Sequence, residues 1–195
     1  LMPKGRQDVR FSLVCRHMRP ADFSVLDYGS GLGNLVGYMR PRFENFRYTG
    51  ADTVNEFVQA SRKTHPSHTF LKLDDFRSLK EMFDYVVVAG MFNTLYSESE
   101  RARWNYIFDV IEHLFSLSLE SLAVNFIADV VDFRQEGAYH QNPRELCEFA
   151  NERLSQRWVL DQSYMPYEFT LTIFRDAEIQ HPEKMYQIGR ASCRE

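Results

Sequence analysis

The stretch Ser24–Leu35, which reads SVLDYGSGLGNL, decides the fold of this chain. A short apolar strand runs into Asp27, and glycines follow at positions 29, 31 and 33 before an apolar helix begins. Alternate glycines let a backbone turn tightly and approach a ligand without interference from Cβ atoms. The loop also directs the amides of a helix N-terminus towards whatever binds above the sheet. Because Asp27 adds a negative charge, the stretch predicts a binding loop for a ligand with positively charged groups.

The spacing Asp-x-Gly-x-Gly-x-Gly that begins at Asp27 resembles the first motif of class I S-adenosylmethionine-dependent methyltransferases. One alternative is a dinucleotide-binding loop, which needs G-x-G-x-x-G. Its third glycine would fall at Asn34 or Val36, so both registers fail. Another alternative is a glycine-rich turn without a ligand. The resemblance implies S-adenosylmethionine as the cofactor, bound by a loop of five residues: Asp27, Gly29, Ser30, Gly31 and Gly33.

Length and composition indicate one globular domain of ordinary size. The chain has 195 residues, of which 44% are apolar and 14% aromatic. It contains no run of about 18 apolar residues, so we expect no membrane partner. Its net charge is −4 without a basic run, which argues against a nucleic-acid partner. The oligomeric state stays open.

The C-terminal residues and the cysteines indicate the extent of the domain and its location. Residues 188–195, IGRASCRE, resemble the in-frame translation of a DNA-sequencing adapter, so we expect a non-native tail there. The domain is then expected to span residues 1–187, with a core from about 10 to 175. Outside the tail only Cys15 and Cys147 remain, far apart and without a CxxC pair. Free thiols of this kind predict a reducing, cytoplasmic location, and no cluster has the spacing of a metal site.

Strands and helices alternate along the chain, which favours an α/β fold with a mainly parallel sheet. We expect a three-layer Rossmann-like sandwich: a seven-stranded, mostly parallel sheet with an antiparallel C-terminal hairpin strand. The predicted strands are Phe23–Tyr28, Phe46–Asp52, Thr69–Leu73, Phe83–Val88, Leu122–Ile127, Arg157–Gln162 and Glu168–Arg175. Predicted helices cover Gln7–Met18 and Leu32–Met39, and begin at two capping boxes, Thr53-x-x-Glu56 and Ser97-x-x-Glu100, and at Asn142-Pro143. Phe169, Leu171 and Ile173 alternate with threonines, which predicts one more polar strand face.

Further cofactor residues are expected where the strands end. Asp52 closes strand two, where the family places an acidic residue on the ribose hydroxyls, and Thr53 follows it. An incidental aspartate before a helix is the alternative. Asp74 and Asp75 follow strand three, where the family has one acid beside the adenine. We prefer Asp74, although Asp also favours helix N-caps.

Three other residues complete the expected cofactor site. Phe76 is a candidate for packing against the purine. Gly90 lies where strand four ends and leaves room for the methionine moiety, since open α/β sheets bind ligands at that edge. Arg10, on the leading helix, is a candidate partner for the cofactor carboxylate, with a solvated arginine as the alternative.

Acceptor specificity is expected in three segments: Phe92–Tyr96, Asp129–Gln141 and Tyr164–Glu168. Within them His140, Tyr139 and Asp129 are candidate bases, because a group titrating near neutral pH can take a proton from a hydroxyl or amine. A surface histidine before a helix cap is the simpler interpretation of His140.

The sequence therefore predicts a methyltransferase acting by in-line displacement on a small-molecule or sugar-like acceptor. Methylases of exocyclic base amines carry an Asn/Asp-Pro-Pro-aromatic motif after strand four, whereas this chain reads AGMFN. The stretches FDYVVVAGMFN, LAVNFIAD and YEFTLTIF resemble a bacterial group of these enzymes. Two other classes stay open, a non-catalytic S-adenosylmethionine-binding partner or regulator and an NAD-dependent oxidoreductase.

Overall fold

One eight-stranded sheet organises the chain in a computed structural model that describes residues 4–93, 99–134 and 136–175. The strands are β1 Phe23–Tyr28, β2 Phe46–Asp52, β3 Thr69–Lys72, β4 Phe83–Ala89, β5 Ser118–Ala128, β6 His140–Gln141, β7 Trp158–Met165 and β8 Glu168–Phe174. The helices are α1 Lys4–Val14, α2 Asn34–Met39, α3 Asn55–Thr64, α4 Glu100–Ser116 and α5 Pro143–Arg153. Two 3₁₀ turns, Phe76–Ser78 and Met91–Asn93, follow β3 and β4.

The strand order is β3-β2-β1-β4-β5-β8-β7, and the two-residue β6 pairs with β5. Every pairing is parallel except those of β8, which runs antiparallel to both β5 and β7. The predicted fold class is therefore confirmed, with the short β6 as an addition. The predicted bounds of β1 and β2 match the structure, and Asn142 caps α5 by accepting a hydrogen bond from the Glu145 amide at 3.1 Å.

Helices cover both faces of the sheet and bury a separate hydrophobic cluster on each side. On one face, residues of α1, α2 and α3 such as Phe11, Leu35 and Val58 pack against β1, β2 and β4. On the other face, residues of α4 and α5 such as Ile111 and Leu146 pack against the central strands and β8. The central strands are consequently buried on both sides, as parallel strands usually are. Among the described helices, none is both long and apolar enough to cross a membrane.

The structure corrects the expected starts of two helices. The capping box at Thr53 is wrong: Val54 precedes α3 and no side chain caps that helix. Instead the Asp52 carboxylate accepts a hydrogen bond from the Val54 amide at 2.9 Å, which ends β2 in a tight turn. Ser97 lies outside the described residues, and the N-cap of α4 is Ser99, which accepts from the Ala102 amide at 3.3 Å.

The predicted polar face of β8 is present, and in the structure it is buried. Thr170 and Thr172 are 1% and 4% exposed, and α1 lies against β8 on one face while α5 lies against it on the other. The alternation was correctly interpreted as two unlike faces. The polar one faces the interior beneath α1.

The chain order creates a crevice between β1 and β4. The chain passes from β1 outward through β2 and β3, then returns to the other side of β1 as β4. Adjacent loops leave the carboxyl ends of β1 and β4 in opposite directions, and open α/β sheets bind ligands at such a switch point. The glycine loop and Gly90 both lie there.

Candidate active site

The glycine loop after β1 adopts a conformation that only glycine tolerates well. Gly29, Gly31 and Gly33 have φ angles of 81°, 53° and 73°. A Cβ on Gly29 would lie 2.6 Å from Met91, and one on Gly33 would lie 3.0 Å from Phe70. Nothing lies within 4 Å of the corresponding position on Gly31. The two ends of the loop are therefore packed, while its middle is open to a ligand.

Asp52 connects the end of β2 to this loop. One carboxylate oxygen accepts from the Gly31 amide at 2.8 Å and the other accepts from the Val54 amide at 2.9 Å. An ionised carboxylate offers about four acceptor positions. The two oxygens therefore keep acceptor capacity beside the open middle of the loop, which suits a pair of neighbouring hydroxyl groups. Thr53, the next residue, is exposed.

Asp27, the acid of the motif, lies beneath the loop and is 3% exposed. Its carboxylate accepts a hydrogen bond from the Tyr48 hydroxyl at 2.6 Å. Burial raises the pKa of the Asp27 carboxyl to about 7, and the hydrogen bond from Tyr48 opposes part of that shift. The Ser30 hydroxyl also turns towards the sheet, since it lies 2.8 Å from where Gly50 would carry a Cβ.

The three candidate residues after β3 differ in their surroundings: Asp74 is exposed, Asp75 caps a 3₁₀ turn, and Phe76 is part of the hydrophobic core. The Asp74 side chain is 95% exposed and binds Lys72 at 2.5 Å. Asp75 accepts from the Arg77 amide at 2.9 Å and so caps the first 3₁₀ turn. Phe76 is buried, with its ring centroid 5.5 Å from that of His113.

The buried Tyr28, at the end of β1, lies near both Asp52 and Asp75. Its pKa is raised mainly by burial, then by Tyr106, and further by the charges of Asp52 and Asp75. Both carboxylates therefore act on one buried hydroxyl at the end of β1. Asp75 shares the electrostatic surroundings of Asp52.

Arg10 reaches from α1 to the end of β4. It is 7% exposed, and its Nε donates to a Glu168 carboxylate oxygen at 2.6 Å while Nη2 donates to the other. Its Nη1 lies 3.1 Å from where Gly90 would carry a Cβ, and Asn93 Nδ2 lies 3.4 Å from the same point. Two nitrogen donors thus lie against the side of Gly90 that would carry a Cβ, and the φ of 86° at Gly90 again requires glycine.

The three segments expected to bind the acceptor meet at the same edge of the sheet. The Tyr139 amide donates to the Asn93 carbonyl at 3.0 Å, and the Ala128 amide donates to the Tyr167 carbonyl at 2.8 Å. Residues 94–96 and 135 of these segments lie outside the described residues. The described parts form a continuous surface beside Gly90, with Val130 and Phe133 exposed to 73% and 67%.

The three candidate bases differ in how they are held. Tyr139 is buried and donates to Gln141 Oε1 at 2.6 Å. His140 Nδ1 lies 2.8 Å from the Ala128 carbonyl, so that nitrogen carries the proton in the neutral ring. One oxygen of Asp129 accepts from Asn142 at 2.9 Å, and the other is buried without a partner in the described structure.

The chain is similar in sequence to a known protein. No family model matches the chain. A curated relative is Rv1506c of Mycobacterium tuberculosis, provisionally named a methyltransferase, which is 25% identical over 153 residues covering 77% of this chain and 92% of the relative. This similarity is consistent with the resemblance to methyltransferases that the sequence predicts.

Solved structures of methyltransferases share the fold of this chain at low sequence identity. Magnesium protoporphyrin IX methyltransferase from Synechocystis, solved with bound S-adenosylmethionine, has a TM-score of 0.63 at 16% identity, covering 88% of this chain and 79% of that one. The plantazolicin methyltransferase BamL, solved with S-adenosylhomocysteine, has a TM-score of 0.65 at 13% identity, covering 89% and 86%. An S-adenosylmethionine-dependent methyltransferase from Clostridium acetobutylicum has a TM-score of 0.61 at 10% identity, covering 90% and 93%. The chain therefore shares its fold with S-adenosylmethionine-dependent methyltransferases.

The residues of the crevice fit S-adenosylmethionine, the cofactor that the sequence predicts. The open side of Gly31 is a cradle that any side chain would fill, and the adjacent Asp52 oxygens can accept from ribose hydroxyls. Within the described segments, no group of His, Cys, Asp and Glu side chains is arranged to hold a metal ion.

Three polar residues that lie under the crevice were not predicted from the sequence. Ser61 of α3 donates to the Gly31 carbonyl at 3.0 Å. Glu168 pairs with Arg10, and Asn125 of β5 is fully buried and donates to the Tyr164 hydroxyl at 2.8 Å. The alternation along β8 was a signal for Glu168. No pattern in the sequence marks Ser61 or Asn125.

Proposed function

We propose that this protein transfers a methyl group from S-adenosylmethionine to a hydroxyl or amine of a small-molecule acceptor. The observation that carries the proposal is Asp52, whose carboxylate is fixed by the Gly31 amide beside an open glycine loop. That arrangement suits a ribose bound above the loop. The loop does not have the G-x-G-x-x-G spacing that binds a pyrophosphate.

The cofactor would lie along the carboxyl ends of β2, β1 and β4. Asp52 would accept from the ribose hydroxyls, and the glycine loop would support the chain of the methionine moiety. Asp75 would face the adenine, because it shares the surroundings of Asp52 whereas Asp74 points to solvent. Arg10 Nη1 and Asn93 Nδ2 would hold the methionine carboxylate over Gly90. The bound cofactor supplies an activated methyl group on sulfur.

The protein's own part in the reaction is alignment, exclusion of water and removal of a proton. The acceptor would enter between the segments that follow β4 and β5 and the β7–β8 turn. Exposed Val130 and Phe133 at this entrance suit an acceptor with an apolar body. Asp129 is our first candidate for the base, because its buried oxygen is held towards this edge by the bond from Asn142. His140 is the second.

Isothermal titration tests the cofactor. We expect binding of S-adenosylmethionine and S-adenosylhomocysteine and none of NAD. Binding of NAD alone would contradict the proposal and favour an oxidoreductase. Asp74→Ala should leave the dissociation constant unchanged and Asp75→Ala should raise it, and the reverse pattern would exchange their roles.

A methyl-release assay tests the transfer. The protein is incubated with methyl-labelled S-adenosylmethionine and fractionated pools of small metabolites, and labelled product is separated by chromatography. Product that disappears in Asp52→Ala supports the enzyme. Tight cofactor binding without transfer to any pool would favour a binding protein that no longer catalyses.

A further inference from the structure

Gly31 is the part of the glycine loop that packing does not fix. Side chains stand against Gly29 and Gly33, whose Cβ positions would lie 2.6 Å and 3.0 Å from Met91 and Phe70. Nothing lies within 4 Å of that position on Gly31. The conformation of this residue must therefore be held through its own peptide groups.

Both polar groups of Gly31 are hydrogen-bonded from below. Its amide donates to Asp52 Oδ2 at 2.8 Å, and its carbonyl accepts from Ser61 Oγ at 3.0 Å. Ser61 is fully buried in α3. Its single hydroxyl proton is shared with the Phe57 carbonyl, which lies 2.8 Å away one turn earlier and is the usual acceptor for a serine inside a helix.

A second hydroxyl in the same helix makes the usual bond only. Thr64 Oγ1 donates to the Ala60 carbonyl at 3.0 Å and is exposed, and no described contact joins it to the loop. Ser61 and Thr64 thus make the same kind of bond to the preceding turn of α3. They differ in that Ser61 also reaches a carbonyl 30 residues away in the loop.

We propose that Ser61 is a positioning residue for cofactor binding. It holds the Gly31 carbonyl, which keeps the Gly31 amide on Asp52 and the loop in its binding conformation before the cofactor arrives. Glycine loses more conformational freedom on ordering than other residues, and a loop ordered in advance does not have to be ordered by the ligand. The inference rests on the proposed function, since the ligand is the cofactor proposed there.

The test compares Ser61→Ala with Thr64→Ala in the full chain, using isothermal titration with S-adenosylhomocysteine. Each change removes one hydroxyl and one bond within α3. We expect Ser61→Ala to raise the dissociation constant about threefold to tenfold, as for the loss of one hydrogen bond, and Thr64→Ala to leave it within about twofold. Thermal unfolding of both variants checks that the fold is retained. If Ser61→Ala does not fold, Ser61→Cys keeps a side chain of similar size with a weaker donor, and a smaller rise is expected.

Amide hydrogen exchange of the unliganded protein gives a second measurement. Ser61→Ala should speed exchange at residues 29–33 while Thr64→Ala does not. Equal affinity for wild type and Ser61→Ala, or equal loss in both variants, would overturn the inference. If wild type binds neither S-adenosylmethionine nor S-adenosylhomocysteine, the proposed function fails instead, and exchange in the loop still decides whether Ser61 positions it.

Discussion

Replacement of Asp27 by asparagine should remove a pH dependence of stability that the buried carboxyl creates. Burial raises the pKa of Asp27 to about 7 from a value near 3.8 in an unfolded chain. A carboxyl with a raised pKa holds its proton more tightly in the folded state. Its contribution to stability is therefore complete below pH 4 and is lost as the pH rises through 7.

The size of the effect follows from these two pKa values. Each unit of difference is worth about 1.4 kcal/mol. Between pH 5 and pH 8 the wild type should lose about 2 to 3 kcal/mol of unfolding free energy through Asp27 alone. This is less than the full effect, because the unfolding free energy already falls between the unfolded pKa and pH 5. Asparagine keeps an oxygen that accepts from Tyr48. Any penalty for its buried amide is the same at both pH values.

Urea unfolding at pH 5 and pH 8 gives the change in unfolding free energy between the two pH values. The part due to Asp27 is the change in wild type minus the change in Asp27→Asn. Histidines and other acids titrate equally in both proteins, so their contributions cancel. Asp74→Asn is the matched control, because that side chain is 95% exposed and its replacement should leave the pH dependence unchanged. The reasoning is refuted if wild type and Asp27→Asn lose the same free energy between the two pH values.

Three further predictions test the site and the fold. Asp52→Ala should weaken S-adenosylhomocysteine binding by about 1–3 kcal/mol in calorimetry, since it removes an acceptor of buried hydrogen bonds; an unchanged dissociation constant would exclude Asp52 from the site. Gly31→Ala and Gly29→Ala both place a Cβ on a residue with positive φ, but only the Cβ on Gly29 would lie 2.6 Å from a packed side chain, so Gly29→Ala should lower the melting temperature more and Gly31→Ala should chiefly weaken binding; equal effects on stability would contradict this contrast. Glu168→Leu should cost about 3–5 kcal/mol in urea unfolding by leaving Arg10 buried and unpaired, and Arg10→Met added to it should recover most of the loss.

The sheet could be predicted from the sequence because its signals are local. β1 and β2 are short apolar runs bounded by glycine, proline and acidic residues, and their predicted bounds match the structure. Asn142 with Pro143 marked the start of α5 for the same reason, since capping is decided within one turn of helix. The glycine spacing placed the crevice because positive φ angles at three alternate residues leave few other choices of residue.

Local signals failed where two residues competed for one task. Thr53-x-x-Glu56 has the pattern of a capping box, yet the preceding Asp52 binds the Val54 amide and the helix begins later. Asp52 is held there by a second bond, to Gly31 in the loop after β1. The capping pattern was overridden by a contact across 21 residues of chain, and no local window contains both partners.

The buried polar contacts under the crevice could not be predicted from the sequence, because they too join residues that are far apart along the chain. Arg10 and Glu168 are separated by 158 positions, so the ion pair exists only because α1 folds over β8. Ser61 is a single small residue within an amphipathic helix, and such residues are usually placed by helix packing alone. Its bond to Gly31 becomes visible only when α3 packs against β2 and β3, beside the glycine loop. The motif identifies which backbone binds the ligand, but the groups that hold this backbone still come from distant elements, and these are the residues whose substitution should separate affinity from stability.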